Sequence, residues 1–437
     1  MESVIPINGR IAIVDDKIDQ ALPLMRVLSK NNIPYSFYKG DDSDCLPLKP
    51  ENDIRILFLD INLQEGRVQK KKDIRSALVP RLKRLLSPDN YPYILILWSR
   101  QEREYTGVIE EIFEKDLKDR APIAIESYVK SVFFPNFGDE EDESADEMQI
   151  IEKLKEILDR HPAYKHLIQW ENCIHDSADA TIGDIFKDYH SHENWNENAN
   201  CILNMMAKSY LEQAYGTSTP ETKIKASLSL LNNVLFDCLE NVINKYNFEC
   251  AGELTHNISE DRKKEIVSKI NHSLLVSNVI ENITMPGSVF RYYLSNKYKI
   301  HFEAILSDSC NCDDEKKTAM KETMIPCEIV VNPSCDYAQK KLKTTRIVQG
   351  LLIESKHIIN GKKIKNIDHK TDAIYCSPSF EYKGRNYVMV LNFRYFVTDD
   401  MLENKKRYPL FRVRNSMLAE IQSKLARHIN RQGIINL

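Results

Sequence analysis

Residues 54–60 read Ile-Arg-Ile-Leu-Phe-Leu-Asp, an almost unbroken apolar run that ends on the carboxylate of Asp60 and continues into Ile61 and Asn62. A run this short suits a strand buried on both faces, the usual state of a parallel sheet with helices packed on either side. An acid at its last position then stands at the carboxyl edge of the sheet, where open α/β folds keep their ligands and chemistry.

The flanking sequence repeats the pattern. Residues 10–14 form a short apolar run that stops at Asp15 and Asp16, and residues 21–28 follow with Leu22, Met25 and Leu28 at helical spacing. Residues 33–38 are expected to be a second strand, set between Asn31-Asn32 and a polar turn at 40–44. After the central strand and a basic loop at 67–72 comes a helix over 78–86, with Leu78, Leu82, Leu85 and Leu86 on one side. Residues 93–98 give another buried strand closing at Ser99, 108–117 the next helix, and 122–130 a last strand ending near Lys130. Five rounds of strand and helix imply a doubly wound, five-stranded parallel sheet with right-handed crossovers.

A chain of 437 residues exceeds what one core usually organises. The dense acidic run at 139–147 predicts a solvated linker, which closes a first domain at 138. From 148 to 285 helical spacing dominates, with predicted breaks at 170–184 and 215–222. Ile224, Leu228, Leu231, Leu235, Leu239 and Val242 form one stripe, expected to face a core rather than a dimer partner. From 286 to 437 short β-rich runs predict an α+β domain, with strands at 290–294, 300–306, 327–331, 346–353 and 387–396. Asn360-Gly361 and Lys383-Gly384 have the composition of hairpin turns, and residues 417–429 that of a closing amphipathic helix.

Composition narrows the function classes. A formal net charge of −4 does not favour broad nucleic-acid binding, and no segment joins a basic face to a helix-turn-helix. With only 13 glycines the chain carries neither a Walker-type phosphate loop nor a GxGxxG turn. The amino terminus lacks the basic start and apolar core of a signal peptide, and no apolar run reaches the roughly 18 residues needed to span a bilayer. A cytoplasmic protein without a membrane partner is expected. Ten cysteines scattered over this length read as reduced thiols.

The predicted strand ends gather Asp15, Asp16, Asp60, Ser99 and Lys130 at one edge of one sheet. Taken singly, either acid of the pair is an ordinary helix N-cap, Ser99 a cap for the next helix, and Lys130 a surface residue. Taken together, three carboxylates repel one another unless a cation neutralises them. A divalent, oxygen-seeking ion such as Mg²⁺ suits them, with the backbone carbonyl of Asn62 and waters completing about six positions. Phosphoryl transfer to Asp60 is then feasible, because that reaction consists mostly of positioning and charge neutralisation. Ser99 would hydrogen-bond one phosphoryl oxygen, and Lys130 would act as a point charge on another.

This set resembles the receiver domain of bacterial response regulators. The resemblance rests on the Val14-Asp15-Asp16 acid pair, the Leu57-Phe58-Leu59-Asp60 strand, the Trp98-Ser99 hydroxyl and Lys130, in that order, and covers roughly residues 8 to 138. The spacing from Asp16 to Asp60 is close to that of receivers. The connections after Asp60 and after Ser99 are longer than usual, Ser131 stands where receivers carry proline, and Tyr128 is the candidate for the aromatic partner of the switch hydroxyl. Haloacid-dehalogenase-like phosphatases also place an Asp at a strand end, but they carry a second Asp two positions on, where this chain has Asn62. The resemblance implies a flavodoxin-like receiver that takes a phosphoryl group on Asp60 from a histidine kinase with Mg²⁺. As regulator or phosphate sink, it is similar to divergent receivers of bacterial anti-phage signalling systems, which work with a separate effector protein.

The later domains carry fewer signals. Cys335 and Asp336 open a helix after the Asn332-Pro333-Ser334 turn, which suits a packed cysteine beside an Asp cap or, alternatively, an activated thiol. Cys310, Cys312, Cys327 and Cys335, with His301, would hold zinc only if the fold gathers them, since their spacing matches no standard module. His369 and Cys376 add no recognisable triad. Two further readings stay open: an effector enzyme with its active site in the C-terminal domain near Cys335 and Asp336, or a receiver-like scaffold that is never phosphorylated. A homodimer is compatible with either.

Overall fold

The computed structural model describes residues 5–6, 9–40, 43–61, 71–99, 105–130, 144–187, 194–248, 258–278, 280, 282–292, 296–361, 363–399 and 407–430. The chain forms two compact units, one from residues 1–191 and 231–255, the other from 192–230 and 256–437.

The first unit is built on five strands: β1 (Ile11–Asp15), β2 (Tyr35–Lys39), β3 (Ile56–Leu59), β4 (Ile94–Ser99) and β5 (Ala124–Val129). They pair in the order β2-β1-β3-β4-β5, and every pairing is parallel. Strand order reverses between β1 and β3, which creates the crevice where doubly wound folds place their sites. Side chains alternate across the sheet. Ile11, Ile13, Ile56, Phe58, Ile94, Ile96 and Trp98 enter one apolar layer, while Ala12, Val14, Leu57, Leu59, Leu95 and Leu97 enter the other. Burial on both faces is why these strands read as continuous apolar runs. Helices α2 (Lys71–Leu85) and α3 (Thr106–Lys115) cover the second layer, and α1 (Ile18–Lys30) helps to cover the first. This unit fits a flavodoxin-like fold.

Of the expected linker at 139–147, residues 139–143 lie outside the described residues and the remainder is helical. Helix α4 (Ser144–Asp159) begins inside that run and buries Ile150, Leu154, Ile157 and Leu158 against the sheet. Helix α5 (Pro162–Phe186) continues the same layer with Tyr164 and Ile168. It is then pinned to the amino-terminal edge of the strands. The Tyr164 hydroxyl donates to the Arg55 carbonyl at 2.7 Å, Glu171 pairs with Arg55 at 2.8 Å and Arg10 at 3.0 Å, and Asn172 donates to the Ile5 carbonyl at 3.1 Å. The predicted break at 170–184 is absent because the polar residues there satisfy themselves within the helix. Ser177 donates to Cys173 O at 2.5 Å and Thr181 to Ser177 O at 2.7 Å, the i−4 bonding that lets hydroxyls stay buried in a helix.

Helices α6 (Trp195–Leu211), α7 (Pro220–Lys245) and α8 (Glu260–Leu275) follow, with a 3₁₀ turn at Glu212–Thr217 where a break is predicted. The stripe on α7 is not fully buried: Ile224 and Leu228 are 60% and 48% exposed, Leu231, Leu235, Leu239 and Val242 are half-buried, and the buried residues of that helix are Ala226 and Ser227. Periodicity specifies an apolar face, not what covers it.

The second unit centres on an antiparallel sheet. Its strands are β6 (Val276–Ser277), β7 (Ser288–Tyr292), β8 (Ile325–Val330), β9 (Thr345–Glu354), β12 (Ile374–Cys376), β13 (Phe380–Tyr382), β14 (Arg385–Asp399) and β15 (Arg407–Val413), while β10 (Ile359–Asn360) and β11 (Lys363–Ile364) form a separate hairpin. The order is β12-β14-β9-β8-β7-β15-β6, with β13 also on β14. Both predicted hairpin turns are present. Lys383 and Gly384 have φ of 50° and 77°, the left-handed pair that a tight hairpin needs.

The expected strand at 300–306 is instead part of α9 (Asn296–Ser309), because Phe302, Ile305 and Leu306 sit at i, i+3 and i+4 and bury together. Helix α10 (Asp314–Thr323), capped by the Asp313 carboxylate, lies on the same face of the sheet. Two short helices, α11 (Ser334–Ala338) and α12 (Ser355–Ile358), precede the last one, α13 (Asn415–Ile429), which packs Met417, Leu418, Ile421 and Leu425 on the opposite face. Among the described residues no helix is long and apolar enough to cross a membrane.

Candidate functional site at the strand-order reversal

The two central strands deliver acids to the crevice. Asp15 is the last residue of β1, and Asp60 follows β3 directly, its backbone N–H bonded to Val14 O at 2.8 Å. Asp16 comes next after Asp15, at the mouth of the crevice. One carboxylate oxygen from each of the three lies within 4.8 Å of the others. The chain returns Lys130 to this point immediately after β5. Its ammonium donates to Asp60 Oδ2 at 2.6 Å, to Asp15 Oδ2 at 2.7 Å and to Gln20 Oε1 at 3.0 Å. Lys130 and Asp15 are both buried, with side chains 1% and 0% exposed.

The crowding is visible in the protonation of the acids. Burial pushes the Asp15 carboxyl up from about 3.8 to about 6; Lys130 opposes that rise and Asp60 adds to it. Asp16 is raised too, first by burial and then by Asp60, against the pull of Lys17 and Lys130. Three carboxylates facing one ammonium leave an excess of negative charge, with Asp15 and Asp60 buried and Asp16 partly so. The donor set is all oxygen and hard. Octahedral coordination at about 2.0–2.1 Å sets ligand oxygens roughly 3–4 Å apart, so this cluster needs only a slight contraction to hold a small divalent ion. Among the described residues no other cluster of three or more His, Cys, Asp or Glu is placed for a metal.

The predicted site residues divide as follows. Asp15, Asp16, Asp60 and Lys130 are together. Ser99 closes β4 opposite Val129, with its side chain outside the described part of the structure. Asn62 lies outside the described residues, as does Ser131. A pairing of Tyr128 with the Ser99 side chain therefore also lies outside the described structure. The Tyr128 ring belongs to the apolar layer under α1 and α4, with the Arg160 guanidinium donating to its hydroxyl at 2.6 Å.

Gln20 was missed. It occupies the buried side of α1 among Ala21, Leu24, Val27 and Leu28, one turn after Asp16. A lone polar residue on an otherwise apolar helix face was the available signal.

In the second unit the thiols do not assemble as a zinc site. Cys327 is fully buried on the α13 face, Cys335 is exposed, and Cys310 and Cys312 border the α9 face. Burial, with Cys312 alongside, pushes the Cys310 thiol up to about 12. The His301 ring is engaged with Gln349 Oε1 at 2.8 Å. Cys335 Sγ has the Asp336 carboxylate 3.8 Å away, a neighbour that does nothing to activate it.

Comparison with models of protein families, with curated proteins and with solved structures found no match in any of the three. What the coordinates themselves give is a five-stranded parallel sheet with an acidic cluster at its strand-order reversal, receiver-like in shape.

Proposed function

We propose that the first unit accepts a phosphoryl group on Asp60. The observation that carries this reading is the convergence of Asp15, Asp16, Asp60 and Lys130 on one crevice, from three separate stretches of chain. An Asp60 carboxylate oxygen attacks phosphorus, a new O–P bond forms, and the bond from phosphorus to the donor nitrogen breaks. The donor imidazole leaves with the electron pair and takes up a proton. Asp15 and Asp16 are the residues that would hold Mg²⁺, together with Asp60. The ion supplies neutralisation of the phosphoryl oxygens. Lys130, already against Asp60, stays beside the incoming group as a fixed positive charge, and its contacts with Asp15 and Gln20 keep it aimed there.

A protein that receives phosphate this way is a regulator or a phosphate reservoir. The histidine kinase donor, a separate effector and a part in phage defence rest on the resemblance of the motif alone. The test is incubation of the full chain with acetyl phosphate and Mg²⁺, followed by intact-mass measurement. One added phosphoryl group is expected in the wild type and none in Asp60→Asn. An unmodified wild type, or equal modification of the variant, sinks the proposal.

A further inference from the structure

The second unit holds a cavity of about 230 Å³ between the turn that leads into β12 and the last turns of α13. Its walls are His369, Lys370, Thr371, Asp372, Lys424 and Arg427, over Ile374. Lys424 and Arg427 are three positions apart on α13 and therefore share a face. Lys424 is held in place, its ammonium 4.9 Å from the Tyr375 ring centre and 3.1 Å from Glu420. Lys370 and Arg427 have no hydrogen-bond or ion-pair partner among the described residues, and Asp372 is the sole acid in the wall.

Of the two uncharged groups, one is left with an acceptor and one with a donor. His369 Nδ1 lies 3.1 Å from the Ile367 carbonyl, which only accepts, so Nδ1 carries the proton and Nε2 is left for a ligand. Thr371 Oγ1 accepts from the Ala373 N–H at 2.9 Å, which leaves its own hydrogen to donate. Cations near a helix C-terminus are ordinarily explained by the exposed carbonyls there. That accounts for Lys424 and Arg427. It does not account for Lys370, which comes from a turn and enlarges a positive excess in a chain whose net charge is −4.

We propose that this cavity binds a compact phosphate-bearing anion of the diphosphate class. Lys370, Lys424 and Arg427, set against Asp372 in the wall and Glu420 beside Lys424, leave a net positive charge that matches such a group. A volume below the roughly 300–1,000 Å³ of typical small-molecule pockets fits an anionic headgroup, not a whole organic ligand. The site is independent of the acids in the first unit.

Isothermal titration of the full chain with sodium pyrophosphate, in metal-free buffer at low salt, tests it. Saturable one-to-one binding is expected, at least tenfold weaker in Lys370→Ala/Arg427→Ala and tighter in Asp372→Asn. The charge-matched control Lys264→Ala/Lys269→Ala, on exposed α8 positions, is expected to bind like the wild type. Adenosine diphosphate is the second arm: tighter binding than pyrophosphate identifies a nucleotide as the source, and equal binding shows that the diphosphate alone is read. No saturable binding of either, or equal weakening in both double variants, overturns the proposal. So does a single-stranded oligonucleotide that binds through these residues where pyrophosphate does not.

Discussion

Replacing Asp15 by Asn is expected to stabilise the metal-free protein at neutral pH while abolishing its response to Mg²⁺. Burial raises the Asp15 carboxyl from about 3.8 to about 6 in the folded chain. Above pH 6 it is ionised in both folded and unfolded states, and the shift is a cost of about 3 kcal/mol to folding. Below about pH 4 the group is protonated in both states and that cost is gone. Between those limits the folded state binds more protons, so this carboxyl lowers stability as pH rises from about 4 to about 6. Asparagine is never charged and escapes the cost. It keeps only one of two acceptor contacts, those made to the Lys17 N–H at 3.0 Å and the Lys130 ammonium at 2.7 Å. Losing one such bond takes back about 1–1.5 kcal/mol. The net gain is therefore about 1.5–2 kcal/mol at pH 7.5, shrinking towards zero near pH 4. Urea unfolding in EDTA at both pH values, read by tryptophan fluorescence, measures it, since Trp98 is buried in this unit. A variant less stable than wild type at pH 7.5 would refute the account of crowded carboxylates.

The remaining expectations concern neighbouring contacts. Gln20→Leu removes one of three acceptors from a buried ammonium and is expected to cost about 1–2 kcal/mol, seen as a lower denaturation midpoint. Glu171→Ala leaves Arg10 and Arg55 without the carboxylate they share; a loss of about 2 kcal/mol in the same assay is expected, and an unchanged midpoint would mean α5 is not anchored there. Gly350→Ala sets a methyl 2.3 Å from the Val390 carbonyl and 2.8 Å from Leu391, which forces β9 and β14 apart. It is expected to cost about 3 kcal/mol, read as a lower melting temperature of the second unit.

The site was more legible than its surroundings for identifiable reasons. Residues 11–15 and 56–60 announce themselves because strands buried on both faces leave no polar alternation, so an acid at the tip stands out. Lys383-Gly384 was readable because a tight hairpin demands residues that tolerate positive φ. Helix α5 was not legible over its full length, since apart from Tyr164, Ile168 and Cys173 its buried side is made of Lys165, Gln169, Asn172, Ser177 and Thr181. Such a helix hides its face from any hydrophobic count. Its anchors on Arg10 and Arg55 join positions more than a hundred residues apart, and no local pattern encodes that distance. Gln20 was missed for a related reason: a single amide gains its meaning only when Lys130 arrives from the far end of the sheet.

The first unit is not one stretch of chain: it is left after residue 191 and rejoined from 231 to 255. On the ribosome, then, Asp15, Asp60 and Lys130 emerge well before the unit they belong to can be finished. At elongation rates of about 5–20 residues per second, the remaining segment up to residue 255 follows roughly 6–25 seconds after Lys130. For roughly the first 3–11 seconds of that interval the apolar layer beneath α1 waits for α4 and α5, and a nascent chain that stalls there presents an uncovered sheet face to chaperones and proteases. Truncation after residue 138 would fix the protein in that state permanently.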